Sequence, residues 1–142
     1  MHVPSTMNGL KIARLMALAS AIGLAGCSGG GRSVATISGE VAVNGEPLQR
    51  GKIVYRPVEN DAGNGGSADV ALGRYQLEEV PLGDNVFTFS GSVETGKTIV
   101  GPGGNPEPER ANVIPRKILE EGVVRAIDGD GTQDFFLEGP AR

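Results

Sequence analysis

The chain has 142 residues, with 13 Lys and Arg against 17 Asp and Glu, 23 Gly, 9 Pro, one His and one Cys. That length suits one domain. His2 and Cys27 both fall at or before the processing point read below. The remainder then offers no imidazole and no free thiol, which excludes a Ser-His-Asp triad, a Cys-His dyad, a Cys/His zinc site, a haem site and a disulfide framework.

Residues 1–26 carry Lys11 and Arg14, no acid, and then the apolar run Leu15–Ala25. A basic stretch followed by a short apolar one is the layout of an export signal. Eleven residues rise about 16 Å as a helix, against roughly 30 Å of hydrocarbon, so the run is read as a signal helix and not as a permanent span. It ends in Leu24-Ala25-Gly26-Cys27, which resembles the bacterial lipobox. The resemblance implies cleavage after Gly26 and diacylglycerol on the Cys27 thiol. Acyl chains contribute about 0.8 kcal/mol per buried methylene, so two or three of them anchor a protein durably. Residues 27–33 then form a flexible Gly/Ser tether. Ser28, standing where an Asp often signals retention in the inner membrane, leans towards the outer one. The expected location is outside the cytoplasm, anchored to the cell membrane or the outer membrane.

From Cys27 onward the chain holds all 17 acids and 11 of the 13 bases. Such a balance argues against nucleic acid, and it makes the lipid, not a basic face, the membrane contact. Val and Ile outnumber Leu by 19 to 6 in this part. β-Branched residues punctuated by Gly and Pro point to short strands and tight turns.

Residues 34–43 alternate, with Ile37, Gly39, Val41 and Val43 on one face, and predict a half-buried strand. Asn44-Gly45 predicts a hairpin turn. A second strand follows over 51–57, with Ile53 and Tyr55 inward, then a polar loop over 59–66. Strands are predicted over 67–72 and 73–77, a turn over 80–84, and a fifth strand over 85–90 with Phe87 and Phe89 on one side. Residues 91–112 read as the least ordered stretch, because Pro102, Pro106 and Pro108 cannot sit in a central strand or a helix interior. One helical turn is predicted over 116–121. Strands over 123–127 and 133–138 follow, joined as a hairpin by Asp128-Gly129-Asp130-Gly131.

Three constellations invite chemistry. Gly91–Thr98 spells the P-loop pattern letter for letter, but a working P-loop needs a helix starting at Lys97-Thr98. Ile99-Val100-Gly101-Pro102 cannot be that helix, so no nucleotide is expected. Asp128, Asp130 and Asp134 could wrap a calcium ion. The twelfth position of an EF-type loop counted from Asp128 is Gly139, however, so a solvated turn is the reading preferred over a surface calcium site. Glu78-Glu79 and Glu120-Glu121 read as solvated acids, and Tyr55 and Tyr75 as core residues with hydroxyls at a rim. No catalytic residue and no cofactor is assigned.

The order Ile37-Ser38-Gly39-Glu40-Val41, Asn44-Gly45-Glu46-Pro47-Leu48, Gly51-Lys52-Ile53-Val54-Tyr55 resembles the opening of carboxypeptidase regulatory-like domains. Gly73-Arg74-Tyr75-Gln76-Leu77 followed by Val80-Pro81-Leu82-Gly83 is similar to that family's middle signature. Thr95-Gly96-Lys97, Ile114-Pro115-Arg116-Lys117-Ile118 and Phe135-Phe136-Leu137 are similar to the tail of a lipoprotein subgroup. Ile118 departs from it by standing where a Tyr is usual. The resemblance covers nearly all of residues 34–138. It implies an all-β, about seven-stranded antiparallel Greek-key sandwich of the transthyretin type over residues 34–142, without catalytic residues. The expected function is that of a lipid-anchored, non-catalytic binding or structural module of the cell envelope. Its partners would be the membrane, through the lipid, and an envelope protein or a glycan. A small-ligand or carbohydrate-binding lipoprotein is the alternative, and an enzyme built without His or Cys a remote one. Ligand contact is expected at the 91–112 or the 58–66 segment, since rigid sandwiches place recognition at loop ends.

Overall fold

The structure is a computed structural model that describes residues 33–59 and 63–141. The signal, the lipobox and Cys27 lie outside the described residues. Ten strands and one helix follow in order: β1 Val34–Val43, β2 Glu46–Pro47, β3 Arg50–Pro57, β4 Gly66–Ala71, β5 Arg74–Pro81, β6 Gly83–Val100, β7 Pro106–Asn112, α1 Arg116–Glu121, β8 Val123–Ile127, β9 Gly131–Thr132 and β10 Phe135–Leu137.

Alternation dictates these strands. In β1, Ala35, Ile37, Val41 and Val43 are buried, while Thr36, Ser38 and Glu40 face away, the period of a one-sided sheet. The strands form one curled sheet in the order β10-β1-β5-β4-β3-β6-β7, with β8 against β6 and β9 and β2 against β1. Strands β6-β3-β4-β5 lie in Greek-key order, and nearly every pairing is antiparallel. The architecture is the expected all-β sandwich.

At one corner β5 passes into β6 through Leu82 alone, although β4 and β3 lie between them in the sheet. Asn85 holds that corner. Its side chain is fully buried, and Nδ2 donates to the carbonyls of Pro81 at 2.8 Å and Gly83 at 3.1 Å. Such bonds are worth about 1 kcal/mol each, and more once the partner is buried.

Inside the curl the aromatic rings gather on Phe135. Phe87, Phe89 and Tyr75 approach it with centroids 5.0, 5.1 and 5.9 Å away, all tilted or edge-on, as ring quadrupoles prefer. Ile37, Ile53, Leu77 and Ile114 fill the space around them. All of this core lies between Ala35 and Leu137.

Three sequence readings change. Residues 91–112 form a β-hairpin: β6 runs on to Val100 and turns back as β7, pairing Ser92 with Asn112 and Val100 with Pro106. The prolines are accommodated because β7 is an edge strand with one neighbour, where a missing N–H costs the ladder nothing. The Asp128–Gly131 run is a crossover and not a hairpin. Here β8 pairs with β6 on one side of the curl, whereas β9 and β10 pair in parallel with β1 on the other. The predicted turn over 80–84 shrinks to Leu82, because β5 extends to Pro81 and β6 begins at Gly83.

The body has two ends. The chain comes in at Ser33, whose carbonyl accepts from Leu82 N–H, next to the β3 terminus, Leu82 and the 127–130 crossover. At the opposite end lie the Asn44-Gly45 turn, the Leu72-Gly73 turn and Gly139. The β6–β7 hairpin leaves from that end as an arm.

Candidate functional site

Two regions away from the core concentrate chemistry. The first is the outer face of the sheet at β1, β5 and β4. Pairing sets its rows: Ser38 lies opposite Gln76 and Thr132, and Glu40 opposite Arg74. Asp69 of β4 pairs with Lys52, their charged ends 3.9 Å apart. One step towards the arm, Phe136, Ala42 and Pro47 form an apolar row across β10, β1 and β2. The polar rows line a wide, shallow groove of about 700 Å³ that takes in Ser38, Glu40, Asp69, Arg74, Gln76 and Asp134. Phe136 is 66% exposed beside it.

Of the acids that the sequence had offered to calcium, Asp134 lines the groove and Asp130 bonds the same strand further along. Asp130 Oδ1 accepts the Thr36 N–H at 2.7 Å, and Asp134 Oδ1 accepts the Glu40 N–H at 2.8 Å. Gln133 N–H donates to the Ser38 carbonyl at 2.9 Å. Residues 130–134 thus fasten to the edge of β1 through the short β9 ladder, with an aspartate side chain bonding β1 on either side of it. Among the described residues, no three acids gather as a group that could hold a metal ion. Asp128 stands apart from the two fastened acids, at the start of the crossover.

Tyr75 belongs to the same fastening. Its hydroxyl donates to the Gln133 carbonyl. Burial, reinforced by the Asp134 carboxylate, pushes its pKa well above the ordinary tyrosine value of 10.0. Gly39, opposite Tyr75 in the ladder, has no room for a side chain, because a Cβ there would stand 2.2 Å from the Gln133 oxygen. Tyr55 donates to the Glu79 carbonyl at 3.2 Å, and its pKa is likewise raised by burial and by Glu79. Both tyrosines are core residues with tethered hydroxyls, as expected.

The second region is the arm. Its residues are exposed on both faces apart from the buried Gly101 and the partly covered Gly91, Ser92, Glu109 and Ala111. At its root, Val93 and Asn112 join Val43, Pro47, Leu48 and Gln49 around a cleft of about 360 Å³. The P-loop-like Gly91–Thr98 lies wholly within β6. A bulge at 95–97 with Gly96 at φ 80° interrupts it, and strand follows Lys97 where a P-loop needs a helix. Glu78 and Glu79 lie on β5, Glu120 and Glu121 on α1, and Glu120 pairs with Arg116 at 2.7 Å. The 63–65 segment borders a shallow pocket with Tyr55, Glu79 and Pro81 at the end where the chain comes in.

The groove was not foreseen. Its signal was the in-out-in burial of Phe135, Phe136 and Leu137, which sends the middle ring outward.

No known protein family and no curated protein matches the chain. Among solved structures, the chain is similar to a Pseudomonas aeruginosa protein for which carbohydrate binding has been proposed. The TM-score is 0.42 at 11% identity, over 76% of this chain and 90% of that one.

Proposed function

We propose that the protein is an exported, lipid-anchored, non-catalytic module of the cell envelope, built on a carboxypeptidase regulatory-like domain and presenting its arm to a binding partner or a structural neighbour. The observation that carries this reading is the polarity of the body: the chain comes in at one end and the arm leaves from the other. An anchor at Cys27 would hold the first end at the membrane and point the arm away from it. The absence of His and Cys beyond Cys27 supports a non-catalytic role. In the test, Cys27→Ser abolishes fatty-acid labelling and leaves the precursor uncleaved by the lipoprotein peptidase. Labelling that persists in the variant overturns the anchor.

A second reading, a small-ligand or carbohydrate-binding lipoprotein, is favoured by the outer-face groove. Carboxylates, an amide and a guanidinium there can hydrogen-bond hydroxyls, and Phe136 offers a flat apolar surface beside them. Titration of neutral glycans should shift the amide resonances of Glu40, Arg74 and Gln76. A flat response across a broad panel counts against it.

A further inference from the structure

Folding sorts the charges that composition mixes. The chain beyond Cys27 is acidic, yet β3 collects cations on one face. Ile53, Tyr55 and Pro57 are buried, whereas Arg50, Lys52, Val54 and Arg56 are exposed, so these four side chains share the outer face of the sheet. Arg50 and Arg56 stand about 20 Å apart along the strand, with Lys52 between them. Register names their neighbours. On β4, Ala71 lies opposite Arg50, Asp69 opposite Lys52 and Ser67 opposite Val54. On β6, Ser90 lies opposite Lys52, Thr88 opposite Val54 and Val86 opposite Arg56, and the next position sets Ser92 beside Arg50. These rows hold three cations and a single acid, Asp69, whose carboxylate lies 3.9 Å from the Lys52 ammonium. Arg50 and Arg56 form no ion pair among the described residues. Asp84 ends the stripe beyond Val86, and the Glu94–Arg110 pair, at 3.6 Å, ends it beyond Ser92.

The chemistry of the stripe selects its occupant. A guanidinium takes a carboxylate or a sulfate through two parallel N–H bonds, and here two of them are held at a fixed spacing on a rigid strand. The hydroxyls of Ser67, Thr88, Ser90 and Ser92 lie beside them, each able to donate and to accept. Anionic groups at intervals, separated by hydroxyls, are the complement of that pattern, and an acidic polysaccharide carries both. No aromatic side chain stands on these rows, so a single-stranded nucleic acid would find no platform for its bases. An anionic bilayer would have to approach the acidic remainder of the body as well. A sugar chain lying along β3 meets the stripe alone.

We propose that the outer face of β3, from Arg50 to Arg56, binds a linear acidic polysaccharide, the two arginines holding its carboxylate or sulfate groups with Lys52 between them. The stripe lies beside the outer-face groove. Its occupancy requires neither the lipid anchor nor the binding of neutral glycans. Lys52, Val54 and Arg56 report on the stripe, whereas Glu40, Arg74 and Gln76 report on the groove, so the two readings fail separately.

A chain beginning at Gly29 keeps the whole core, so it serves for the test. Oligogalacturonate, with a carboxylate on every sugar, should shift the amide resonances of Lys52, Val54 and Arg56, and its affinity should fall as salt is added. Its methyl ester, which keeps the rings and loses the charge, should leave those resonances in place. Both arginines are exposed, so R50Q/R56Q keeps the fold, and it should weaken binding at least about tenfold. K97Q/K117Q removes the same charge elsewhere and should bind like the parent. A heparin fragment offers sulfate in the same role. Binding of either polymer supports the proposal and tells which anion the arginines prefer; failure of both to bind overturns it. So does a methyl ester that binds as well as the acid, or an R50Q/R56Q chain that binds like the parent. An equal loss in K97Q/K117Q, or tighter binding of a single-stranded oligonucleotide or of anionic vesicles, overturns it too.

Discussion

Neighbouring residues of one type play opposite parts at the end of the chain. Phe135 is fully buried at the meeting point of three other rings, whereas Phe136 is 66% exposed. Phe135→Ala should cost about 3–5 kcal/mol in chemical denaturation, the usual range for emptying an aromatic site in a core. Phe136→Ala should change stability by no more than about 0.5 kcal/mol, so any loss of glycan binding in it reports on the groove and not on the fold. Tyr75 makes a pH prediction of definite sign. Its folded pKa lies above 10.0, so the unfolded chain gives up the phenolic proton first as pH rises. The stabilisation is complete below about pH 10 and is lost as pH climbs from there through the folded value. Thermal melts should show Tm falling above pH 10, with a shallower fall in Tyr75→Phe. An equal fall in both chains would assign the alkaline loss to other groups.

Two turns of the same geometry show what the sequence disclosed and what it hid. Asn44 and Gly45 have φ 49° and 84°, and Leu72 and Gly73 have φ 50° and 77°. Asn-Gly accepts two left-handed residues at little cost, so the first turn was legible. Asn44 also clasps Gly139, donating to its carbonyl at 3.0 Å and accepting its N–H at 2.9 Å. Leu72 read as the end of a strand, because a leucine at positive φ goes against the steric rule that sequence reading relies on. Its side chain is 74% exposed, so packing does not compensate the strain. Leu72→Asn should therefore stabilise the domain by about 0.5–1 kcal/mol, read as a raised denaturation midpoint. No gain would mean that the leucine makes a contact worth its strain. The strands themselves were legible from alternation, and so was the short helix. The arm was hidden because proline was taken to mean irregular chain, when an edge strand with its N–H side outward tolerates it. The crossover at Asp128–Gly131 was hidden for a related reason. Turn chemistry is local, and whether the next strand pairs beside the last or across the curl depends on Phe135 reaching the ring cluster. The groove is assembled from β1 and the β4–β5 hairpin, about thirty residues apart in sequence, and only pairing register brings Glu40, Arg74, Gln76 and Asp69 to one face.

At the scale of the whole molecule, the distribution of parts along one axis matters more than any single site. Strand β6 runs in 18 residues from beside Ser33, where the chain comes in, to the arm's tip. At about 3.3 Å per residue, less the two extra residues of the bulge, the tip stands roughly 50 Å from that point. The proposed tether of residues 27–33 is short against that distance, and the excess of acids disfavours the body lying flat on anionic headgroups. The proposed anchor therefore predicts a gradient of membrane proximity. On vesicles bearing a quencher on the lipid headgroups, a fluorophore at Gly129→Cys in the crossover should be quenched in the acylated protein. Nothing lies within 4 Å of a Cβ there, so the label fits without disturbance. A fluorophore at Asn105→Cys in the arm's turn should stay bright. Quenching of both would mean that the body reclines on the bilayer, and the arm could then meet only partners in the same membrane. Quenching of the tip alone would reverse the orientation. Arms held out from the surface can reach molecules beyond it.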